Sequence, residues 1–391
     1  MTQLVLYDYG SIMLSRLLET IESCNLNFLV GSGLSSPYLK TLGSIETLLT
    51  ELELAKLPES ETNLIRCSLY KSFFDGVISK NREILKGDPD AESVFEGYLA
   101  FLKAIRTILL KRKSTILGKE VNIFTTNFDI FLERAIESVG LECNDGFTGR
   151  FAPRFALSNF SKAHYKRSLQ YDNLSELPTV NLLKLHGSLT WLIDEHEAIL
   201  FSPDLSHVAN IQSKKVTPAL LLDIVKGSTL PVLVGGCKGK KVDATVTDFL
   251  AAYDVLPIVN PTKAKFRQTI LNETHYELLR IYSNELEKEN TLLLVAGFSF
   301  ADEHIRQITV RAANSNPTLM IYVIGYDVSS SAEIRSIFEA QNIRNDNIVV
   351  VEPDVDKAGK ELFKYDLATI NKKVLGQIIE RISVDATGTP V

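Results

Sequence analysis

The sequence contains 391 residues, of which 45% are apolar and 23% are charged, close to the globular average. This composition excludes a disordered, collagenous or disulfide-dense protein, and the length predicts roughly two to three domains. The 42 basic and 48 acidic side chains leave a net charge of −6, which argues against a general nucleic-acid coat protein.

The sequence contains no recognisable export or membrane signal. The N-terminal segment has no basic region and carries an acid at Asp8, which is untypical of a signal peptide. The longest apolar runs, such as residues 292–296, are far shorter than the roughly 18 residues of a spanning helix. We therefore expect a cytoplasmic protein with no membrane contact.

The cysteines give no sign of a metal centre. They are Cys24, Cys67, Cys143 and Cys237, and no two of them lie within ten residues of each other. This spacing excludes a CxxC zinc ribbon or redox pair, so we expect buried free thiols, no zinc and no other metal site.

Short apolar runs separated by helical patterns define the fold class. Buried strands are predicted at residues 26–30, 121–125, 181–185, 230–234, 291–296, 319–324 and 347–351. Apolar residues recur at helical spacing in residues 129–139 and 272–287. Continuously apolar strands that alternate with helices predict an α/β fold, a Rossmann-like, mostly parallel sheet with helices on both faces.

Three segments interrupt this alternation. Residues 44–113 have a helical pattern and are interpreted as a helical insertion. Residues 147–178 are aromatic and basic and are interpreted as a long loop or cap. Residues 358–382 are interpreted as a pair of helices, followed by a frayed tail from Ala386.

Two predicted strands run directly into small polar residues. The first is followed by Gly31, Ser32 and Gly33, then Ser35, a pattern typical of a phosphate-binding turn before a helix N-terminus. An ordinary strand-to-helix turn explains it equally well, since a Rossmann fingerprint needs glycine where Ser36 stands.

The second such strand ends in Thr125, Thr126, Asn127 and Asp129. Ligands bind at the carboxyl ends of strands in open α/β sheets, which makes these side chains candidates for a site. The alternative is that Asn127 or Asp129 only caps the next helix.

Two later strands end in similar residues. His186 and Gly187 follow the third strand, and an imidazole suits a general base near neutral pH, although a lone histidine is more often structural. Gly297, Phe298 and Ser299 follow the 291–296 strand and precede an acidic helix start, where Ser299 or Asp302 is alternatively an N-cap.

Together these motifs resemble a known family. Gly-Ser-Gly, Thr-Asn-Phe-Asp, His-Gly and Gly-Phe-Ser follow one another in the order found in sirtuins, over roughly residues 26–326. The chain is more similar to the sirtuin-like NAD hydrolases of bacterial anti-phage defence, where Gly-x-Ser-Phe-x-Asp-x-His and Pro-Thr-x-Lys recur. Here these are residues 297–304 and 261–265, the latter with its second lysine one position late.

The resemblance implies domain boundaries and site residues. It implies an NAD-binding domain over 1–43 and 114–352, with the insertion at 44–113 and a C-terminal helical segment at 353–391. The implied catalytic residues are Asn127, Asp129 and His186. The implied cofactor-binding residues are Gly31, Ser32, Gly33, Ser35, Thr125, Thr126, Gly187, Gly297, Phe298, Ser299 and Gly325.

The resemblance and the chemistry of these residues predict an NAD+ glycohydrolase that releases nicotinamide and ADP-ribose. Cleavage creates an oxocarbenium-like centre, which Asp129 would stabilise while Asn127 holds a water and His186 accepts a proton. Alternatives are a deacylase or ADP-ribosyltransferase at the same site, and an NAD or ADP-ribose sensor without turnover. The missing cysteine pairs argue against a deacylase, since those sirtuins usually carry a four-cysteine zinc module.

Unrestrained NAD hydrolysis would harm the host, so we expect activity to be gated by assembly or by a partner. The insertion and the C-terminal helices are candidate contact surfaces. The resemblance implies a homo-oligomer and a HerA-type ATPase partner in anti-phage defence, with nucleic acid involved only indirectly. Short basic runs such as 111–113 and 238–241 are better explained as solvated surface.

Overall fold

A seven-stranded sheet forms the centre of the computed structural model. The structure describes residues 17, 20–21, 23–40, 45–112, 117–170, 172–225, 227–259 and 269–387. Its strands are β1 (Asn25–Val30), β2 (Glu120–Thr125), β3 (Glu142–Asn144), β4 (Phe147–Thr148), β5 (Arg154–Phe155), β6 (Tyr165–Arg167), β7 (Leu174–Glu176), β8 (Thr179–Lys184), β9 (Trp191–Ile193), β10 (Ile199–Phe201), β11 (Thr291–Ala296), β12 (Met320–Ile324) and β13 (Ile348–Val351).

Helices surround the sheet. The α-helices are α1 (Ile45–Leu54), α2 (Glu59–Phe73), α3 (Lys80–Lys86), α4 (Glu92–Lys111), α5 (Phe131–Val139), α6 (Ser206–Ser213), α7 (Leu230–Gly236), α8 (Ala244–Tyr253), α9 (Thr269–Leu286), α10 (Glu303–Ser315), α11 (Val328–Glu339), α12 (Leu367–Ile370) and α13 (Gly376–Thr387). None of these described helices is both long and apolar enough to cross a membrane.

All neighbouring strands of the main sheet are parallel, in the order β13-β12-β11-β1-β2-β8-β3. Successive side chains of a strand face opposite sides of the sheet, so Phe28 of β1 belongs to one apolar cluster and Leu29 to the other. Helices α1 to α5 and the C-terminal helices pack in the first cluster, whereas α9, α10 and α11 pack in the second. The predicted fold class is therefore confirmed.

The insertion is built directly onto the sheet. Phe101 of α4 packs edge-on against Phe28 of β1, with ring centroids 5.2 Å apart, and Tyr98 stacks on Phe131 of α5 at 5.4 Å. The insertion helices and the sheet therefore share one core, which places α4 close to the strand ends.

Six of the seven predicted strands are confirmed, and the prediction for residues 230–234 is wrong. That run is helix α7, in which Pro231 occupies the first turn, where a missing N–H costs nothing. Only Leu233 of the run is buried, and Val232 is 67% exposed. An interior parallel strand needs both faces covered and excludes proline from its middle. This run has neither property, because most of its side chains are not buried and it contains Pro231.

Residues 147–178 are not the single long loop that the sequence predicts. They contain the short strands β4 and β5, which join β9 and β10 in a four-stranded sheet, and the β6–β7 hairpin. Glu176 of the hairpin accepts a hydrogen bond from the Lys119 amide at 2.8 Å, at the amino end of β2. The hairpin thus lies at the opposite edge of the main sheet from the strand-end motifs.

The predicted C-terminal helix pair is also wrong. Residues 352–366 are irregular, and a single helical stretch follows in which α12 and α13 are joined by the π-helical residues Asn371–Leu375. Gly359 has a φ of +78°, which interrupts helix periodicity before Asp366 caps α12. Ala386 lies in α13, and the tail beyond Thr387 lies outside the described residues.

A buried histidine on α6 links the fold to pH. Burial lowers the pKa of His207 to about 4, from an ordinary value of 6.5. Between these values the unfolded chain binds a proton that the folded chain excludes, so stability falls as the pH drops from 6.5 towards 4.

When the pH is lowered from 7 to 4.5, we expect the unfolding free energy of the wild type to fall. That of His207→Leu should fall by about 2 kcal/mol less, because leucine takes up no proton on unfolding. Urea unfolding at both pH values measures this difference. His196 is exposed, so His196→Leu is the matched control and should retain the wild-type pH dependence. An equal loss in the wild type and His207→Leu would contradict the prediction.

Candidate active site

The carboxyl ends of five neighbouring strands lie side by side. In register, Ile324, Ala296, Val30, Thr125 and Lys184 end β12, β11, β1, β2 and β8. The chain leaves β1 for β2 on one side and later returns to β11 on the other, so the topological switch point lies between β1 and β11. All the sequence motifs therefore follow strands that end at one edge.

The glycine turn after β1 is tied to the loop after β11. The Gly31 amide donates to the Ala296 carbonyl and the Gly33 amide to the Gly297 carbonyl, both at 3.0 Å. Within the turn, the Leu34 amide donates to the Gly31 carbonyl at 3.2 Å. Ser32–Ser35 is a 3-10 turn rather than the expected α-helix start. Pro37 accounts for this, because the residue before a proline disfavours helical backbone.

The close approach of these two loops explains the glycines. A Cβ on Gly31 would lie 2.2 Å from the Gly297 carbonyl oxygen, and one on Gly33 would lie 3.0 Å from the Gly297 Cα. Gly297 itself has a φ of +65°, in the left-handed region that favours glycine. Since three amides of the turn donate within the protein, the expected diphosphate contact stays a prediction.

A buried hydrogen-bond network lies under this turn. The Ser35 hydroxyl donates to Asp129 Oδ2 at 2.7 Å and therefore accepts from the Tyr98 hydroxyl at 2.9 Å. Asp129 Oδ1 accepts a hydrogen bond from the Phe131 backbone amide at 3.2 Å. Phe131 is the first residue of α5, which therefore begins two residues later than predicted. Ser35 and Asp129 are 1% and 4% exposed, so both shape the site from below.

Of the two polar atoms in the Asn127 side chain, one has a hydrogen-bond partner and the other has none among the described residues. Its Nδ2 donates to the Gly31 carbonyl at 3.2 Å, while no group among the described residues donates to its buried Oδ1. The Thr125 hydroxyl donates to the Val30 carbonyl at 2.8 Å and accepts from the Asn127 amide at 3.0 Å. Thr125 thus shapes the turn, and a buried acceptor without a donor is an opening for a ligand.

Lys184 fixes the segment after β2 from the neighbouring strand. Its buried ammonium donates to the carbonyls of Asn127 and Asp129 and pairs with Glu133 at 2.9 Å. Three acceptors match the three protons of the ammonium. Burial raises the pKa of Glu133, although the charge of Lys184 opposes that effect.

His186 crosses the strand ends to meet Asp302. β8 and β11 are separated by β2 and β1, or about 14 Å at the usual strand spacing. Nevertheless, His186 Nε2 lies 3.0 Å from Asp302 Oδ2. Burial favours a raised pKa for Asp302, but its hydrogen bond and charge interaction with His186 outweigh that effect and lower the pKa to about 2.

A second histidine lies beside His186, which the sequence did not indicate. The rings of His186 and His275 are 6.0 Å apart, and His275 Nδ1 lies 2.7 Å from the Leu185 carbonyl oxygen. Gly187 has a φ of +77°, and a Cβ there would lie 2.1 Å from the Pro257 carbonyl oxygen. Gly187 is therefore required by the backbone contact with residues 257–258 rather than by a ligand.

The remaining predicted residues differ in exposure. Ser32 and Ser299 are exposed at the strand-end edge, whereas Thr126 and Phe298 are half-buried. Gly325 is buried, and a Cβ there would lie 2.1 Å from Ser331 Oγ of α11. Close strand-to-helix packing explains that glycine. The 261–265 segment lies outside the described residues.

Sequence reasoning missed Tyr98, Lys184 and His275. It placed Asp302 in a family motif but gave it no role other than that of an N-cap. The one available signal was Lys184, a charge inside an otherwise apolar strand. Among the described residues, no cluster of three or more potential metal ligands is present.

Comparison with known proteins gives no family assignment: no protein-family model matches the chain, and no curated protein matches it.

We predict that Gly31→Ala destabilises the fold by about 2–3 kcal/mol, because the new Cβ meets rigid backbone at Gly297. Urea unfolding measures the loss. The matched control is Gly235→Ala, where a Cβ meets nothing within 4 Å and the residue lies in α7, so stability should stay equal or rise. A Gly31→Ala protein as stable as the wild type would refute the proposed loop contact.

Proposed function

We propose that the chain is an NAD+ glycohydrolase, which takes NAD as substrate and releases nicotinamide and ADP-ribose. The observation that carries this proposal is the hydrogen bond between His186 and Asp302. It joins the segments after β8 and β11 over the ends of β1 and β2, where Asn127 presents an unpaired buried acceptor.

The reaction uses these groups in a simple order. A water oxygen adds to C1′ of the ribose as the bond from C1′ to the nicotinamide nitrogen breaks, and the bonding pair stays on that nitrogen. His186 takes the proton that the water loses and passes it to solvent. Proton transfer by a positioned imidazole contributes about 10²- to 10⁴-fold to a rate.

Asn127 is suited to hold the attacking water. A water that donates one proton to the free Oδ1 keeps a lone pair for C1′. The Asp129 carboxylate lies behind Asn127 and supplies negative charge near the developing oxocarbenium centre. The exposed hydroxyls of Ser32 and Ser299 supply contacts to the diphosphate and the adenosine ribose.

We further propose that assembly or a partner gates this activity, consistent with NAD depletion in anti-phage defence. Tyr98 supports the idea, because α4 of the insertion reaches Ser35 and Asp129 through this one buried hydroxyl. A homo-oligomer or a HerA-type ATPase that contacts the insertion or the C-terminal helices would act through that connection.

Nicotinamide release from NAD tests the proposal. We predict that Asn127→Ala and His186→Ala each lower the rate at least about 100-fold, while His196→Ala and Asn210→Ala, both at exposed positions, stay within threefold. Circular dichroism and urea unfolding establish that the variants fold.

The same assay separates the alternatives. Tight NAD binding by calorimetry without nicotinamide release, in the purified chain and in extract of its native host, would replace the hydrolase with a sensor. Nicotinamide release that requires an acylated peptide would replace it with a deacylase. Absence of NAD binding would overturn both the site and the function.

A further inference from the structure

Asp302 makes two hydrogen bonds with its two carboxylate oxygens. Oδ1 accepts from the Ile305 amide at 3.0 Å as the N-cap of α10, and Oδ2 faces His186 Nε2 at 3.0 Å. The carboxylate cannot turn towards another partner without losing the cap. Its position is therefore set by the helix, independently of His186.

The turn that carries Asp302 is itself held in an unusual backbone conformation. Phe300 has a φ of +58°, in the left-handed region that favours glycine, although its side chain is fully buried. Arg306 donates to the Phe300 carbonyl at 3.0 Å and fixes the turn from α10. Packing and this hydrogen bond therefore fix the turn that leads to Asp302.

We propose that Asp302 is a positioning residue that holds His186 in the tautomer protonated on Nε2, so that Nδ1 is the base. This inference rests on the proposed NAD hydrolysis. Ionised Asp302 can only accept, so the shared proton belongs to Nε2 and the lone pair of the neutral ring to Nδ1. Among the described residues, no protein group hydrogen-bonds Nδ1, which leaves it open towards a substrate.

The groups around the imidazole fit this arrangement. His275 on α9 donates its Nδ1–H to the Leu185 carbonyl, the residue before His186, and burial lowers the pKa of His275. His275 is therefore neutral at neutral pH, and its hydrogen bond holds the backbone at Leu185 in place. Asp302, the N-cap of α10, faces His186 and supplies the negative charge that pairs with the imidazolium after proton transfer.

Asp302→Asn tests the proposal with little disturbance to the fold. Asparagine is as good an N-cap as aspartate, so α10 keeps its cap. Its amide donates to Nε2, however, and forces the ring proton onto Nδ1. We expect kcat for nicotinamide release to fall at least about 100-fold, by the logic of the serine-protease triad, with KM for NAD changed less than threefold.

The control is Asp366→Asn, where another N-cap aspartate accepts from the amide three residues on, as Asp302 does. It should leave kcat unchanged. Activity of Asp302→Asn within threefold of the wild type would overturn the proposal.

A readout without activity comes from nitrogen-15 NMR of the imidazole rings, with the His186 signal assigned by its absence in His186→Gln. We expect the neutral ring protonated on Nε2 in the wild type and on Nδ1 in Asp302→Asn. The same tautomer in both proteins, or Nδ1–H in the wild type, would overturn the proposal. The expected tautomers without nicotinamide release would refute the hydrolase instead, while supporting the Asp302 contact.

Discussion

The parallel register of the central sheet is the constraint on which the site depends. Because β12, β11, β1, β2 and β8 run the same way and end in register, five separate chain segments emerge at one edge. The contact between His186 and Asp302 then joins the segments after β8 and β11 across the ends of β1 and β2. A register shift in one strand would reverse its inward and outward faces and remove its loop from the site.

The residues of the candidate site fall into those that shape it and those that keep unused hydrogen-bonding capacity. Close contacts with neighbouring backbone or with a helix explain four of the glycines, Gly31, Gly33, Gly187 and Gly325. Hydrogen bonds that fix the turns explain Thr125, Ser35 and Lys184. Asn127, through its free Oδ1, and His186, through Nδ1, still have unused capacity for a ligand. A small set of such atoms on a rigid support is typical of a binding or catalytic site.

The sequence predicted the sheet well and the site in part, for different physical reasons. Strands buried on both faces are continuously apolar, so β1, β2, β8 and β11 were recognisable from residue type alone. The same signal failed at residues 230–234, since a short apolar run is ambiguous until its burial is known. His275 and Tyr98 lie on helices far from the motifs in sequence and reach the site only through tertiary packing. Asp302 was recognisable as a cap, but its second partner lies 116 residues away.

A crystal structure of the chain with a non-hydrolysable carbocyclic NAD analogue tests most directly whether one dinucleotide occupies this edge. We predict that the analogue lies across the ends of β1, β2, β8 and β11, with its nicotinamide ring and adjoining sugar-like ring beside Asn127 Oδ1 and His186 Nδ1. An analogue bound at another surface, without contact to either of these two atoms, would contradict the proposed site.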